Sequence, residues 1–277
     1  MDETFVLLLL ADSNLPTGSF VASSGLESYA THGCLSIAAP DANAAKTRTD
    51  GTLAFVRDSL HSYAHSALPF VSDAHRVVFA VTDTVEQPLA SLIALDALYE
   101  AMTLNHVARR ASTAQGVALL TLYAKAFAPD STSPSAAASL VDNLKLAIRR
   151  GETHGHLPVC FGVLTAALGL SLARTQHLAL FLHARSLLSA AVRLNTIGPY
   201  LAQQLLLRHV SGMVDGLVLV CGPLRTGIKL DRRDEPNQDP PAVEDEVESA
   251  DGPATTWPLG EIIAIRHDLQ HSRIFNS

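Results

Sequence analysis

Cysteine is scarce in this chain. Only three cysteines are present among 277 residues, at Cys34, Cys160 and Cys221, and they lie far apart. An odd and widely spaced set does not build a disulfide framework, and the sequence has no C-x-x-C pair of the kind that binds zinc. These absences indicate a protein of a reducing compartment, and we expect a cytoplasmic one.

Long apolar runs are also missing, although 48% of the residues are hydrophobic and only 17% are charged. A membrane-spanning helix needs about 18 or more consecutive apolar residues, and no segment reaches that length. The apolar run 5–11 follows Asp2 and Glu3, where a signal peptide would carry positive charge. Because basic clusters are absent as well, we expect neither a membrane nor a nucleic acid as a partner.

Signatures of catalysis and of nucleotide binding are absent too. The sequence has no G-x-S-x-G nucleophile turn, no G-x-x-x-x-G-K-[ST] phosphate loop, no G-x-G-x-x-G turn and no H-E-x-x-H zinc motif. We therefore expect a non-enzymatic protein without a tightly bound cofactor.

The net negative charge is confined to one segment. Residues 231–251 contain nine acidic and two basic side chains, which accounts for the whole net charge of −7. This proline-containing run has almost no large apolar side chains, so burial cannot offset the entropy of ordering it. We predict a disordered acidic insertion over 231–256. It separates a helical domain at 1–230 from a C-terminal helix and partner-binding tail at 257–277.

Apolar side chains at helical spacing are what the sequence does contain. They predict an all-α, single-domain bundle of about ten helices around one central apolar helix, which covers 177–209. A break is expected at Gly198-Pro199, either a kink or a new helix that starts at Pro199, because proline lacks a backbone donor and crowds the preceding turn. The other predicted helices lie near 19–29, from 52 onward, and at 69–85, 89–127, 135–150 and 260–268, with loops at 36–51 and 128–135. The region 89–127 offers a possible break near Ala111 or Gly116.

The predicted central helix carries a narrow polar stripe that includes Arg185, Ser189, Arg193, Tyr200 and Gln203. Because the rest of its circumference is apolar, other helices must surround it. The stripe is either a line of hydrogen-bonded core groups or the floor of a functional groove. The pattern alone favours a central packing helix.

Histidine is abundant, with 12 residues, and this raises the question of a metal site. His154, His156 and Cys160 form the one compact cluster of nitrogen and sulfur donors, which nickel and zinc favour. Histidines in a glycine-rich turn more often cap helices or form hydrogen bonds, so a structural role is the leading interpretation. His61 and His65, one helical turn apart, are a weaker candidate pair.

The C-terminal segment HSRIFNS places a cation, Arg273, beside two apolar side chains, Ile274 and Phe275. A chain end with such anchors either folds back onto its own core or becomes ordered on a partner. The residues alone leave both alternatives open.

Five motifs, in order along the chain, resemble those of the UreF family of urease accessory proteins. They are LLLLADSNLPTGSFVASSGLES (7–28), RRASTAQGVALL (109–120), HLPVCFGVLTAALGL (156–170), AVRLNTIGPYLAQQLL (191–206) and HDLQHSRIFNS (267–277). The motifs span nearly the whole chain apart from the loops and the acidic insertion. The chain departs from the family pattern at Ser19 and Ala22, and at Asn195 and Pro199 beside the expected break.

The resemblance implies a non-enzymatic helical scaffold that forms a homodimer. It implies binding to the accessory protein called D or H, recruitment of the GTPase UreG, and delivery of nickel to apo-urease, with nickel handled by the complex. The alternative function is a stand-alone nickel or zinc carrier that uses His154, His156 and Cys160.

The resemblance also implies that the tail becomes ordered on the D/H partner. It assigns partner binding to the tail motif, in which His267, Arg273, Phe275 and Ser277 match the family and Ile274 stands where the family has leucine. Internal passages for nickel are a further implication, and the polar stripe would then line one of them. A buried hydrogen-bonded network is the equal alternative. Permanent cations that face a passage would repel Ni²⁺, so we expect Arg185 and Arg193 to organise carbonyl groups or a partner's carboxylates instead.

Overall fold

The computed structural model describes residues 2–36, 44–82, 84–128, 135–230 and 252–277. Within these ranges the backbone is mainly helical and contains no β-strand. The all-α class predicted from the sequence is therefore confirmed. Of the insertion predicted over 231–256, residues 231–251 lie outside the described residues.

Twelve α-helices form the described bundle, and α10 and α11 belong to one continuous helical run. The α-helices are α1 (Glu3–Leu10), α2 (Leu26–Thr31), α3 (Ala44–Ser66), α4 (Leu68–Phe79), α5 (Glu86–Met102), α6 (His106–Leu122), α7 (Ala136–Arg149), α8 (Leu157–Ala167), α9 (Leu172–Arg193), α10 (Pro199–Leu205), α11 (Ser211–Cys221) and α12 (Pro258–Ile265). Short 3₁₀ turns lie at Ser19–Val21, Cys34–Ser36 and Arg266–Leu269, and π-helical turns at Tyr123–Phe127 and Leu206–Val210.

Helix α9 is the central element, as predicted, and packs against α3, α4, α8 and α11. Its apolar side chains, such as Leu180 and Leu187, are almost completely buried. The most extensive helix contact is between α4 and α8, where Gly162 lets the two backbones approach. A side-chain carbon at Gly162 would overlap the carbonyl oxygen of Val71, so this close packing depends on glycine.

The break expected at Gly198-Pro199 is confirmed. Helix α9 ends at Arg193, and α10 begins with Pro199 in its first turn, where proline is tolerated. Asn195 adopts a left-handed conformation with φ of 55°, which ends α9. The predicted central element over 177–209 therefore comprises most of α9 and, from Pro199, a second helical run.

Other boundaries differ from the prediction. Residues 44–51 are helical rather than loop, because Gly51 lets α3 pack against the backbone of Leu35. The predicted helix over 89–127 breaks before Asn105, not near Ala111 or Gly116. The Asn105 side chain accepts hydrogen bonds from two backbone N–H groups of α6 and so starts a new helix.

The continuous run Pro199–Cys221 has an exposed apolar surface. Among the described helices it is the one whose length and composition would allow it to cross a membrane, with a mean hydropathy of 1.3 and 22% of that window buried. A core helix of a soluble protein can have the same length and hydropathy. Arg208 and Asp215 also interrupt the apolar surface of this run. Leu207, Leu219 and Val220 are exposed on this run. The outer face of the run thus has no apolar partner within the described part of the chain.

Candidate functional site

A cavity of about 1150 Å³ lies beside the central helix. Helices α3, α6, α9 and α12 and the loop over 12–25 contribute its walls. Most of the lining is apolar, and Trp257, the single tryptophan of the chain, is part of it. A large cavity with a few converging polar groups is the default location of a binding site.

The polar stripe of α9 forms one wall of this cavity, with Arg185, Ser189 and Arg193 among the lining residues. Arg185 donates a hydrogen bond to the backbone carbonyl of Ala11, and Arg193 donates one to that of Phe20. Burial lowers the pKa of both guanidinium groups. The stripe is therefore both a hydrogen-bonded network and the side of a cavity, which combines the two alternatives considered from the sequence.

The two residues in the C-terminal half of the predicted stripe, Tyr200 and Gln203, lie in different surroundings. Gln203 lines the cavity, whereas Tyr200 is 86% exposed and lies outside it. The reason is the break after Arg193, which turns the axis of α10 away from that of α9. A projection on one straight helix could not place Tyr200 correctly.

His183 is a cavity residue whose position the sequence did not reveal. Its Nε2 lies 2.9 Å from the hydroxyl oxygen of Ser59, and its ring stacks on Tyr63 with centroids 4.3 Å apart. Burial lowers the pKa of His183 to about 4 and raises that of Tyr63. Both side chains are consequently neutral at neutral pH.

The C-terminal segment, residues 266–277, folds back onto α2 and the end of α9. The carboxylate of Glu27 accepts hydrogen bonds from the ring of His267 at 3.1 Å and from the backbone N–H groups of Ile274 at 2.5 Å and Phe275 at 3.1 Å. The Phe275 ring is buried, with the Arg193 guanidinium carbon 4.5 Å from its centroid. A cation over an aromatic face stabilises this contact.

Asp268 provides a second tether for the segment. Both of its carboxylate oxygens accept hydrogen bonds from Arg110 of α6 at 2.9 Å, and one also accepts from Arg273 at 2.9 Å. The hydrogen bonds from Arg110 hold the pKa of Asp268 well below its usual range. Arg110 also donates to the backbone carbonyl of Asn276, so one side chain fixes both ends of the tail.

Comparison with known proteins identifies the family. Residues 47–209 match the model of the family described as UreF. Urease accessory protein 6 of Cryptococcus neoformans var. grubii is 40% identical over 309 aligned positions, which cover 99% of this chain and 97% of that protein. The chain belongs to the UreF family.

More distant relatives agree. A protein of Schizosaccharomyces pombe named as an uncharacterized, UreF-like urease accessory protein is 31% identical over 275 positions, which cover 99% of this chain and 97% of the relative. The urease accessory protein UreF of Paenarthrobacter aurescens is 30% identical over 208 positions, 74% of this chain and 79% of its own. UreF membership supports a role in urease maturation, and the relatives are named for an accessory role rather than a catalysed reaction.

The predicted partner-binding residues of this UreF chain divide into two groups. Ile274 is 64% exposed and the Arg273 side chain 41% exposed. His267, Phe275 and Ser277 are instead buried against the chain's own core. Glu27 contacts His267, and Arg193 contacts Phe275, in the folded-back tail. Contact of these three side chains with a partner therefore stays a prediction, and it requires release of the tail.

Several buried polar atoms around the docked tail have no hydrogen-bond partner among the described residues. They are the hydroxyl of Ser23, Nδ1 of His267, and both the amide nitrogen and the amide oxygen of Gln270. An unpaired buried polar group costs about 1–3 kcal/mol. The docked tail is thus held by strong hydrogen bonds, but some of the buried polar atoms around it lack hydrogen-bond partners among the described residues.

The structure does not arrange His154, His156 and Cys160 as a ligand set. The ring of His156 is engaged by Glu100 at 2.7 Å and by Ser112 at 3.2 Å, while the His154 side chain points outward and is exposed. Cys160 is buried in the core, which raises the pKa of its thiol. Across the described residues, no group of three or more histidine, cysteine or acidic side chains is positioned to hold a metal ion.

Asp96 explains why this turn is rich in glycine and histidine. Its buried carboxylate accepts four hydrogen bonds at 2.6–2.8 Å, from the Thr153 hydroxyl and from the backbone N–H groups of His154, Gly155 and His156. The turn before α8 is therefore an anchor between α5 and α8. Neither Asp96 nor Glu27 was singled out from the sequence, because an acidic residue inside a helix normally indicates a solvated face.

Proposed function

We propose that this UreF-family chain is a non-enzymatic scaffold in the cytoplasm for nickel insertion into urease. It forms a homodimer, binds the D/H accessory protein, and through that complex recruits the GTPase UreG to deliver nickel to apo-urease. Nickel is the cargo of the assembled complex, and the chain itself holds no resident metal. Membership of the UreF family over nearly the whole chain is the observation that carries the proposal.

The geometry of the tail supports the binding of the D/H partner. Arg273 and Ile274 are exposed beside the Arg110–Asp268 ion pair, so a cation and an apolar side chain are presented together on a fixed backbone. Arginine and large apolar groups commonly supply the energy of protein interfaces. The unpaired polar atoms under the tail are further groups that a partner would satisfy after the tail moves.

Co-purification with the D/H protein and the GTPase tests this proposal. Ile274→Asp should reduce recovery of the D/H protein at least tenfold, because a charge replaces the exposed apolar anchor while the buried Phe275 stays in place. Phe79→Asp is the matched control, since Phe79 is 78% exposed at the end of α4, far from the tail. Recovery that is equal for wild type and Ile274→Asp would contradict the assignment of the tail.

The exposed face of α11 supports the homodimer. Gly212 and Gly216 lie one turn apart with open space where a side chain would begin, and the apolar side chain of Val220 is exposed one turn further. Small residues at this spacing let two helices approach closely. This face also offers the exposed Leu219 for burial.

Light scattering after size-exclusion chromatography tests the dimer. Gly216→Arg should yield a folded monomer, because the long side chain blocks the approach of a second α11 while arginine favours the helix over glycine by about 0.8 kcal/mol. Asp142→Arg on the exposed face of α7 is the control and should remain dimeric. A dimeric Gly216→Arg variant would show that α11 is not the dimer interface.

A further inference from the structure

The two stripe arginines in the cavity lack a carboxylate partner. Arg185 and Arg193 make hydrogen bonds only to the backbone carbonyls of Ala11, Phe20 and Ser189, and neither forms an ion pair within the described residues. Each also lies against an aromatic ring, Arg185 over Phe181 and Arg193 over Phe275. Two partly desolvated positive charges therefore have no neutralising group in direct contact.

The acidic residues of the cavity wall do not fill this role. Asp12 is near enough to favour the charged form of Arg185, but its carboxylate accepts the backbone N–H of Asn14 at 2.9 Å and makes no ion pair with the guanidinium. Glu261, on the opposite wall, accepts a hydrogen bond from Asn105 at 3.2 Å. Desolvating a charge without pairing it is unfavourable, so this wall of the cavity is complementary to an anion.

The spacing of the stripe indicates the shape of that anion. Arg185, Ser189 and Arg193 follow one another at intervals of four residues, so the two cations are about 12 Å apart along the axis of α9. An extended peptide with acidic residues four positions apart spans about 13 Å between them. Arginine pairs well with carboxylates because its donors form a planar fork.

The rim of the cavity favours a peptide over a small free anion. Phe20, Leu104 and Ile262 are 61%, 82% and 61% exposed there, although large apolar side chains gain from burial. A small carboxylate inside the cavity would leave this rim uncovered. A peptide that alternates acidic and apolar side chains would cover the rim and pair with the arginines at once.

We propose that the cavity beside α9 binds an acidic, apolar peptide segment of a partner protein, with Arg185 and Arg193 pairing with its carboxylates. This inference rests on the proposed function, in which the chain works inside a multiprotein complex. It assigns to the stripe a role in recognition rather than in the passage of a metal.

The single tryptophan provides the measurement, because Trp257 lines the cavity. The probe is the blocked heptapeptide Leu-Glu-Leu-Gly-Leu-Glu-Leu, titrated into the full chain while Trp257 fluorescence is recorded. The same peptide with both glutamates replaced by glutamine should bind at least tenfold more weakly. Arg185→Gln should weaken binding of the acidic peptide about tenfold, and Arg185→Lys should retain most of the binding.

Arg174→Gln is the matched control, since Arg174 is partly exposed on the same helix and pairs with Glu3 rather than facing the cavity. Its affinity for the acidic peptide should equal that of the wild type. Equal binding of the two peptides, or unchanged binding in Arg185→Gln, would overturn the inference. Saturation by glutarate at the same concentrations, with the same dependence on Arg185, would show a small-anion site and would also overturn it.

The peptide titration needs no other accessory protein, so its outcome separates the two proposals. Charge-dependent peptide binding without recovery of the D/H protein would contradict the proposed function alone. Recovery of the D/H protein without charge-dependent peptide binding would contradict the cavity inference alone.

Discussion

Asp96 and Glu27 are both buried carboxylates that accept hydrogen bonds from a segment folded back against them. The buried polar atoms of the two segments are hydrogen-bonded to different degrees. Asp96 collects four donors from one turn, and the neighbouring His156 has a partner on each ring nitrogen. Glu27 collects three donors, while Nδ1 of its neighbour His267 has no hydrogen bond among the described residues and lies 3.6 Å from a carboxylate oxygen of Asp268.

This difference distinguishes the two segments. We call the turn held by Asp96 the permanent junction and the tail held by Glu27 the releasable junction. The turn held by Asp96 lies between α7 and α8 and is complete within the chain, so nothing is gained by opening it. Among the described residues, polar atoms of Ser23 and Gln270 under the tail held by Glu27 have no partners, so docking of the tail is less favourable than its tethers alone suggest. Segments with lower local stability are the ones that proteins use for exchange of contacts.

Removing the carboxylate of the permanent junction should have the largest effect. Asp96→Ala leaves four buried donors without an acceptor, and we expect a loss of about 3–5 kcal/mol in the free energy of unfolding. Urea denaturation followed by circular dichroism measures it. Asp142→Ala, on the exposed face of α7, should change stability by less than about 0.5 kcal/mol. A loss below about 1 kcal/mol in Asp96→Ala would remove the distinction between the two junctions.

Removing the carboxylate of the releasable junction should have a smaller and local effect. In Glu27→Ala the backbone N–H groups of Ile274 and Phe275 lose their acceptor, so their hydrogen exchange should accelerate at least tenfold. The N–H groups of His154 and His156 should exchange as in the wild type, because Asp96 still holds them. Unfolding of the whole chain at the same denaturant concentration as Asp96→Ala would contradict a local role.

The smallest effect is expected at an unpaired amide. Gln270→Met replaces a buried amide that has no partner in the described part of the chain, so stability should stay equal or rise by up to about 1 kcal/mol. The matched control is Gln176→Met, whose amide nitrogen donates to Ser72 and to the backbone of Gly222 at 2.9 Å each, and which should lose about 1–3 kcal/mol. Thermal unfolding distinguishes the two. Destabilisation by Gln270→Met would mean that the docked tail is better satisfied than its geometry indicates.

Local patterns in the sequence predicted much of the fold. Helical periodicity gave the all-α class and the central position of α9, and proline chemistry gave the start of α10 at Pro199. The predicted helix over 135–150 matches α7 within one residue at each end. These features depend on residues close in sequence, which is why they can be read without the fold.

Features that depend on distant residues were not predictable. The predicted loop ended at Gly51 and a break was expected near Gly116, yet each glycine lies inside a helix at a point where another backbone segment approaches closely. The roles of Glu27 and Asp96 depend on donors about 240 and 60 residues away. The metal hypothesis for His154 rested on spacing alone and could not anticipate that Glu100 and Ser112 engage His156.

Arg193 belongs to two surfaces at the same time, since its guanidinium covers Phe275 of the tail and also lines the cavity. Thermodynamic linkage makes such sharing reciprocal: a ligand that draws Arg193 into the cavity weakens docking of the tail by the factor by which docking weakens the ligand. Release of the tail and binding of a ligand in the cavity are then coupled. The factor by which one changes the affinity of the other can be measured from either side.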